Sequence, residues 1–186
     1  MRLVELANLK IQEVLKPGDS CIDATAGNGH DSLFLAKQVS PNGKVYAIDV
    51  QEIALANTAQ KLAAHGYSNL LSTFHGSHSQ IDKFLGSKEE VCLMAAMFNL
   101  GYLPGGNRQL VTSPDSTTTA LAKTYKIIRP GGIISVLCYR GHQGGTEESN
   151  AVLEICQKKK WQIEKIPGND RDHSPLLILI TKARMD

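Results

Sequence analysis

The sequence predicts a doubly wound α/β fold of seven strands, mainly parallel, with an antiparallel last strand. Three observations carry this. Short apolar runs alternate with helix-periodic segments along most of the 186 residues, as in strand–helix–strand crossovers. Val91 to Phe98 is one continuous apolar run, the mark of a central strand covered on both faces. The last two strand-like runs, Trp161 to Ile166 and Leu176 to Thr181, have no helix between them and so pair antiparallel. At this length one domain spanning residues 1–186 is expected, with a core that needs no staples.

Taken in order, Leu3, Leu6, Ala7, Ile11, Val14 and Leu15 give an amphipathic helix that Pro17-Gly18 ends. A short strand ends at Cys21-Ile22, a small-residue turn follows, and Asp31 to Lys37 turns helical. Ser40-Pro41-Asn42-Gly43 is a turn into a second strand, Val45 to Asp49. Gln51 to His65 is a helix stopped by Gly66. Leu70 to His75 is a third strand and Ser79 to Leu85 a short helix. After the central strand, Asn99 to Gly106 and the polar residues to Ser113 form a long loop, of the kind that is usually functional. Ser113-Pro114-Asp115 starts a helix reaching about Ile128. Arg129-Pro-Gly-Gly132 turns into the strand Ile133 to Tyr139. A second glycine-rich loop, Arg140 to Gly145, leads to a helix over about Glu147 to Lys160.

Composition narrows the class. With 42% apolar and 20% charged residues there is no case for disorder. The net charge of +2 permits a nucleic-acid partner without arguing for one. Cys21, Cys92, Cys138 and Cys156 lack C-x-x-C spacing, and three lie in apolar runs, so reduced thiols are expected. His75, His78 and Asp82 lack the tight spacing of metal ligands, and no metal is expected. The first residues read neither as a signal peptide nor as a membrane span, which points to a cytoplasmic protein.

The turn from Ser20 to Asp31 organises the chain. A strand, a glycine turn and a helix start make a ligand site, since backbone can approach closely and free N–H groups face the ligand. A dinucleotide turn wants G-x-G-x-x-G; here only Gly27-Asn28-Gly29 is present and Ser32 takes the third place. Asp23 ends the first strand, where a carboxylate repels a pyrophosphate and suits a cationic amino-acid group. Asp49 ends the second strand, placed for ribose hydroxyls. Acid, small turn, strand, acid is the order expected for S-adenosylmethionine (SAM). Asp23, Ala24, Thr25, Gly27, Asn28 and Gly29 would take its methionine end, Asp49, Val50 and Gln51 its ribose, and Gly76, Ser77 and His78 its adenine. A Rossmann-like domain that binds NAD, or nothing, is the alternative.

The other loops at the carboxyl ends of strands carry the candidate chemistry. Asn99-Leu-Gly-Tyr102 partly resembles the Asn/Asp-Pro-Pro-Tyr motif of amino-methyltransferases, in which an amide and a carbonyl hold an amine and a ring orients it; Asn99 would also border the cofactor. The alternative is a turn in which Asn99 caps its own backbone and Tyr102 is a packing anchor. His142, between glycines, is a substrate contact, a base or an exposed residue. Asp31 either favours the helix dipole or faces the incoming nucleophile.

Three strings then carry a family likeness: Ala-Thr-Ala-Gly-Asn-Gly-His-Asp31, Met97-Phe-Asn-Leu-Gly-Tyr-Leu-Pro-Gly-Gly106 and Tyr139-Arg-Gly-His-Gln-Gly-Gly145. They resemble the YtqB/MnmM-like family, called rRNA methylases under an older name, and the likeness covers nearly the whole chain. The resemblance implies a class I SAM-methyltransferase fold and SAM-dependent methylation of the exocyclic amine of 5-aminomethyl-2-thiouridine at the wobble position of tRNA. It also implies an anticodon-loop partner and a homodimer, with no membrane. Within it Asn99 and Tyr102 are the expected positioning pair, and Asp31 and His142 the proton acceptors. Methylation of rRNA or of a small molecule stays open beside it. Asn107 and the segment Asn169 to Pro175 depart from the family pattern.

Overall fold

The computed structural model describes residues 1–86, 91–101, 105, 110–169 and 173–184. Among them the chain runs α1 (Leu3–Gln12), β1 (Ser20–Asp23), α2 (His30–Val39), β2 (Lys44–Asp49), α3 (Glu52–Ala64) and β3 (Leu71–His75). It continues α4 (Ile81–Leu85), β4 (Leu93–Leu100), α5 (Pro114–Ile127), β5 (Ile128–Cys138), α6 (Gly145–Lys158), β6 (Gln162–Pro167) and β7 (Leu176–Thr181). Short 3-10 turns at Ser68–Leu70 and His78–Gln80 precede β3 and α4.

The sheet has the order β3-β2-β1-β4-β5-β7-β6. Strands β1 to β5 pair in parallel, and β7 pairs antiparallel with both β5 and β6, as expected from the helix-free connection before it. The order reverses between β1 and β4. Crossovers leave the sheet in opposite directions there, which opens a crevice beyond the carboxyl ends.

The core is built by two-residue alternation. Ala96 and Phe98 of β4, Ile134 and Val136 of β5, and Ile178 and Ile180 of β7 face the side covered by α5 and α6. Ala95 and Met97, Ile133 and Leu137, and Leu177 and Leu179 face the opposite side, against Ala7 and Ile11 of α1 and Leu35 and Val39 of α2. Both faces are buried, so these strands read as continuous apolar runs. Each fully buried Leu or Ile contributes ~1.5–3 kcal/mol from area alone.

Two boundaries differ from expectation, and both bear on the crevice. β5 begins at Ile128, so Arg129-Pro-Gly-Gly132 lies within the strand. The register with β4 shifts there, from Leu93↔Ile128 to Ala95↔Ile133. Gly131 has φ +80° and a Cβ on Gly132 would fall 2.8 Å from the Met94 carbonyl oxygen, so a pair of glycines carries the strand through a bulge. β4 extends to Leu100, so Asn99 lies in a strand and not in the loop. Asn99 pairs with Leu137 of β5, while β1 has already ended at Asp23, opposite Met97. On that vacated side Thr25 Oγ1 accepts the Asn99 N–H at 2.7 Å, standing in for the missing strand.

Candidate active site

The turn after β1 is stapled to both neighbouring strands by its own backbone. Ala24 N–H donates to the Met97 carbonyl and Ala26 N–H to that of Ile48, each at 2.9 Å. Gly27 N–H donates to Asp49 Oδ2 at 2.9 Å, and Gln51 N–H to Asp49 Oδ1 at 2.9 Å. Asp49 is thereby locked at the end of β2, with lone pairs on both oxygens still available. Gly29, at φ +72°, serves the packing of helices instead. A Cβ there would lie 2.7 Å from the Thr58 Cα, so this glycine lets α2 and α3 approach each other.

Beyond the strand ends lies a cavity of about 890 Å³. All the expected cofactor residues except Asp23 and Gly29 line it, and so do Asp31 and His142. Tyr102 lies outside the described residues, as do Asn107 and residues 170–172 of the departing segment. The volume is at the upper end for a single small ligand. Its lining includes Asp49, Val50, Gln51, Gly76, Ser77 and His78, which end or follow β2 and β3, and Asn99, Gly101, Tyr139, Arg140, His142 and His173, which lie in or after β4, β5 and β6.

Asp23 does not meet the expectation that it reaches the ligand. Its side chain is fully buried beneath the turn, where it accepts from Ser32 Oγ at 2.6 Å and from the Thr25 N–H at 3.2 Å. Burial, then the charge of Asp31, pushes its carboxyl up to about 7, against the pull of those hydrogen bonds. Of these two acids it is Asp31, in the first turn of α2, that lines the cavity. Burial raises its carboxyl too, and the Asn99 side chain, whose Nδ2 donates to Asp31 Oδ2, partly offsets this. The chain thus brings Asn99 and Asp31 together across 68 residues, near the end of β4.

His78 is 7% exposed and forms wall. Burial pushes it down to about 4, so the ring is neutral; it hydrogen-bonds the Ala24 backbone and sits edge-on to Phe98 at 5.8 Å. His142, in the loop after β5, turns its Nδ1 toward the Gln143 carbonyl at 3.0 Å. Its Nε2 lies 3.5 Å from where a Gly101 Cβ would stand, so this loop closes over the end of β4. Arg140 ties the same loop to the β6–β7 connection, with Nε donating to the Ser174 carbonyl at 2.6 Å.

The donor set discriminates between ligands. Among the described residues that line the cavity, those from Ala24 to His78 include the carboxylates of Asp31 and Asp49 and no lysine or arginine. That lining suits a vicinal diol and a cationic group, and rejects a pyrophosphate. The residues therefore fit SAM.

Sequence reasoning missed Glu148, which is 2% exposed and lies behind the cavity wall. Gly145, Glu148, Ser149, Val152 and Cys156 recur at helical spacing and form the buried stripe of α6. That periodicity was the available signal. Tyr139, half-exposed, also lines the cavity, where sequence reasoning had it only as a strand end and a motif residue.

The sheet order, the antiparallel β7 and an acid-lined crevice at the switch point define a class I SAM-dependent methyltransferase. Comparison with known proteins narrows this. Residues 45–182 match the family model described as "Putative rRNA methylase". A crystal structure from Clostridium thermocellum described in the same words is 35% identical, with a TM-score of 0.91 over 98% of both chains. A methyltransferase structure from Streptococcus mutans, in complex with SAH, is 32% identical with a TM-score of 0.84 over 97% of both chains. A chloroplastic tRNA (mnm(5)s(2)U34)-methyltransferase from Arabidopsis thaliana is 37% identical over 97% of this chain and 69% of its own length. The chain belongs to this rRNA methylase family.

Proposed function

We propose that this protein methylates the exocyclic amine of 5-aminomethyl-2-thiouridine at the wobble position of tRNA, giving 5-methylaminomethyl-2-thiouridine. The observation that carries the reading is Asn99, fixed at the tip of β4 by Thr25 and aimed at Asp31 inside the cavity. An amide beside a buried carboxylate is a receptor for an amine. The name of the Arabidopsis thaliana relative supports the tRNA position.

In this reading Ala24, Thr25, Gly27 and Asn28 hold the methionine end of SAM, Asp49 with Val50 and Gln51 the ribose, and Gly76 to His78 the adenine. When bound, SAM supplies a methyl group on a cationic sulfur. In-line displacement leaves the protein chiefly to position the reactants. A primary alkylamine has a lysine-like pKa of ~10.4, so its neutral form costs ~4.5 kcal/mol at pH 7. Desolvation in a buried site disfavours the ammonium and lowers that cost. Because Asn99 Nδ2 is committed to Asp31, its Oδ1 is left to accept an amine N–H and aim the lone pair. As the nitrogen forms the new C–N bond, the bond from the methyl carbon to sulfur would break, with its electron pair leaving on the neutral thioether. The resulting ammonium gives a proton to Asp31, a better base for its burial. Tyr102 orients the amine, and His142 is the second proton acceptor.

The reading extends to a single-domain cytoplasmic enzyme that acts as a homodimer on the anticodon loop. No helix among the described residues is long and apolar enough to cross a membrane. Mass spectrometry of tRNA nucleosides from a strain lacking the gene tests the substrate. Accumulation of the aminomethyl nucleoside is expected. Unchanged 5-methylaminomethyl-2-thiouridine would sink the assignment and turn attention to rRNA or a small amine.

A further inference from the structure

Beside the cavity stands a buried carboxylate, Glu148, that forms no ion pair among the described residues. Both oxygens of Glu148 are taken by hydroxyls: Oε1 accepts from Thr117 Oγ1 at 2.6 Å and Oε2 from Thr112 Oγ1 at 2.7 Å. A buried carboxylate is costly unless hydrogen-bonded, and the amino end of α6 adds an opposing partial charge. Packing alone would be better served by an apolar side chain, so the acid has to be explained by what its partners do.

Each threonine passes the contact on to the cavity. Thr112 Oγ1 accepts the Gly101 N–H at 2.9 Å, and the Thr112 N–H donates to the Gly101 carbonyl at 3.1 Å. Gly101 is two residues beyond Asn99, where the chain leaves β4. Thr117 Oγ1 lies 3.4 Å from Nε2 of His78, which lines the cavity. A carboxylate can only accept, so both hydroxyls must donate to it, and the Thr112 oxygen is left to hold the Gly101 N–H. A hydroxyl without that anchor could rotate and let the strand end drift.

We propose that Glu148 is a positioning residue for methyl transfer: through Thr112 it holds the backbone at Gly101, and with it Asn99, in register with the acceptor amine. Through Thr117 it braces the His78 wall. The inference rests on the reading that Asn99 receives the amine. No contact of Glu148 with either substrate is required.

The test uses the full chain, with SAM and tRNA carrying 5-aminomethyl-2-thiouridine, and compares Glu148→Gln, Thr112→Val, their double variant and Asn99→Ala. Single-turnover rate at saturating SAM, SAM affinity by calorimetry and melting temperature are read for each. Glu148→Gln and Thr112→Val should each lower the rate about 10-fold or more, with SAM affinity within about threefold. The double variant should be no slower than the slower single, since both cut the same link. Wild-type rates in folded Glu148→Gln and Thr112→Val overturn the proposal, as does a loss that merely tracks the unfolded fraction, or losses that multiply in the double variant. If Glu148→Gln does not fold, the near-isosteric Thr112→Val decides alone. Loss of activity in Asn99→Ala beside normal Glu148→Gln overturns only the role of Glu148. Wild-type activity in Asn99→Ala overturns the amine site and this inference together.

Discussion

Asp23 and Asp31 are eight residues apart, yet the turn between them gives the two acids opposite duties. Asp31 faces the cavity and Asn99; Asp23 is sealed below with Ser32 and Thr25. The sequence shows that an acid ends a strand, but not which side of the turn its carboxyl takes, because that depends on where Ser32 of α2 arrives. Two predictions belong here. Asn99→Ala should cut turnover about 100-fold while changing SAM affinity little, measured by single-turnover kinetics beside calorimetry. If Asn99→Ala and Tyr102→Phe both keep wild-type rates, the amine site lies elsewhere. The second concerns pH. The Asp23 carboxyl is raised from the ordinary carboxylate range to about 7, by burial first and by Asp31 second. Between about pH 4 and 7 the folded protein therefore keeps a proton that the unfolded chain has lost. The stability this gives is fully present below the unfolded pKa and is lost as pH rises through the folded one. Asp23→Asn should flatten the fall in melting temperature between pH 5 and pH 8; an unchanged slope would assign that fall to other groups.

At the scale of elements, the strands and helices were largely legible, because alternation between the two faces of a buried sheet and the helical stripes both survive in the residue pattern. What the pattern hid were places where tertiary contact overrides a local signal. Arg129-Pro-Gly-Gly132 has the composition of a turn, but the strand beside it draws it into β5 through a bulge. Asn99 reads as the start of a loop, but Leu137 on one side and Thr25 on the other make it strand. Eleven of the thirteen cofactor candidates, all but Asp23 and Gly29, do line the cavity, since a glycine turn between strand-terminal acids leaves its mark in sequence. Gly29 carries the prediction at this scale. Alanine there combines φ +72° with a Cβ 2.7 Å from a backbone atom of α3, so Gly29→Ala should destabilise by more than ~1 kcal/mol in chemical denaturation. Thr58→Ala should not rescue it, because the collision is with Cα. Recovery in the double variant would show that the side chain, and not the helix itself, sets the spacing.

Across the whole molecule the cavity couples ligand binding to stability. SAM at 100 times its dissociation constant should stabilise the fold by ~2.7 kcal/mol, or roughly 5–10 °C in melting temperature for a chain of this size. NAD should give no shift, and Asp49→Ala should shrink the SAM shift at the same concentration. A shift with NAD and none with SAM would defeat the cofactor assignment. The position of β7 has one more consequence, which concerns synthesis. Five of its six residues are buried, and it sits between β5 and β6, both made earlier. Among the described strands β6 pairs with β7 alone, so β6 gains its place in the sheet only once residues 176–181 have been made. Here a late strand enters between two earlier ones, so a stop codon introduced before Leu176 would release a chain in which β6 has no partner strand.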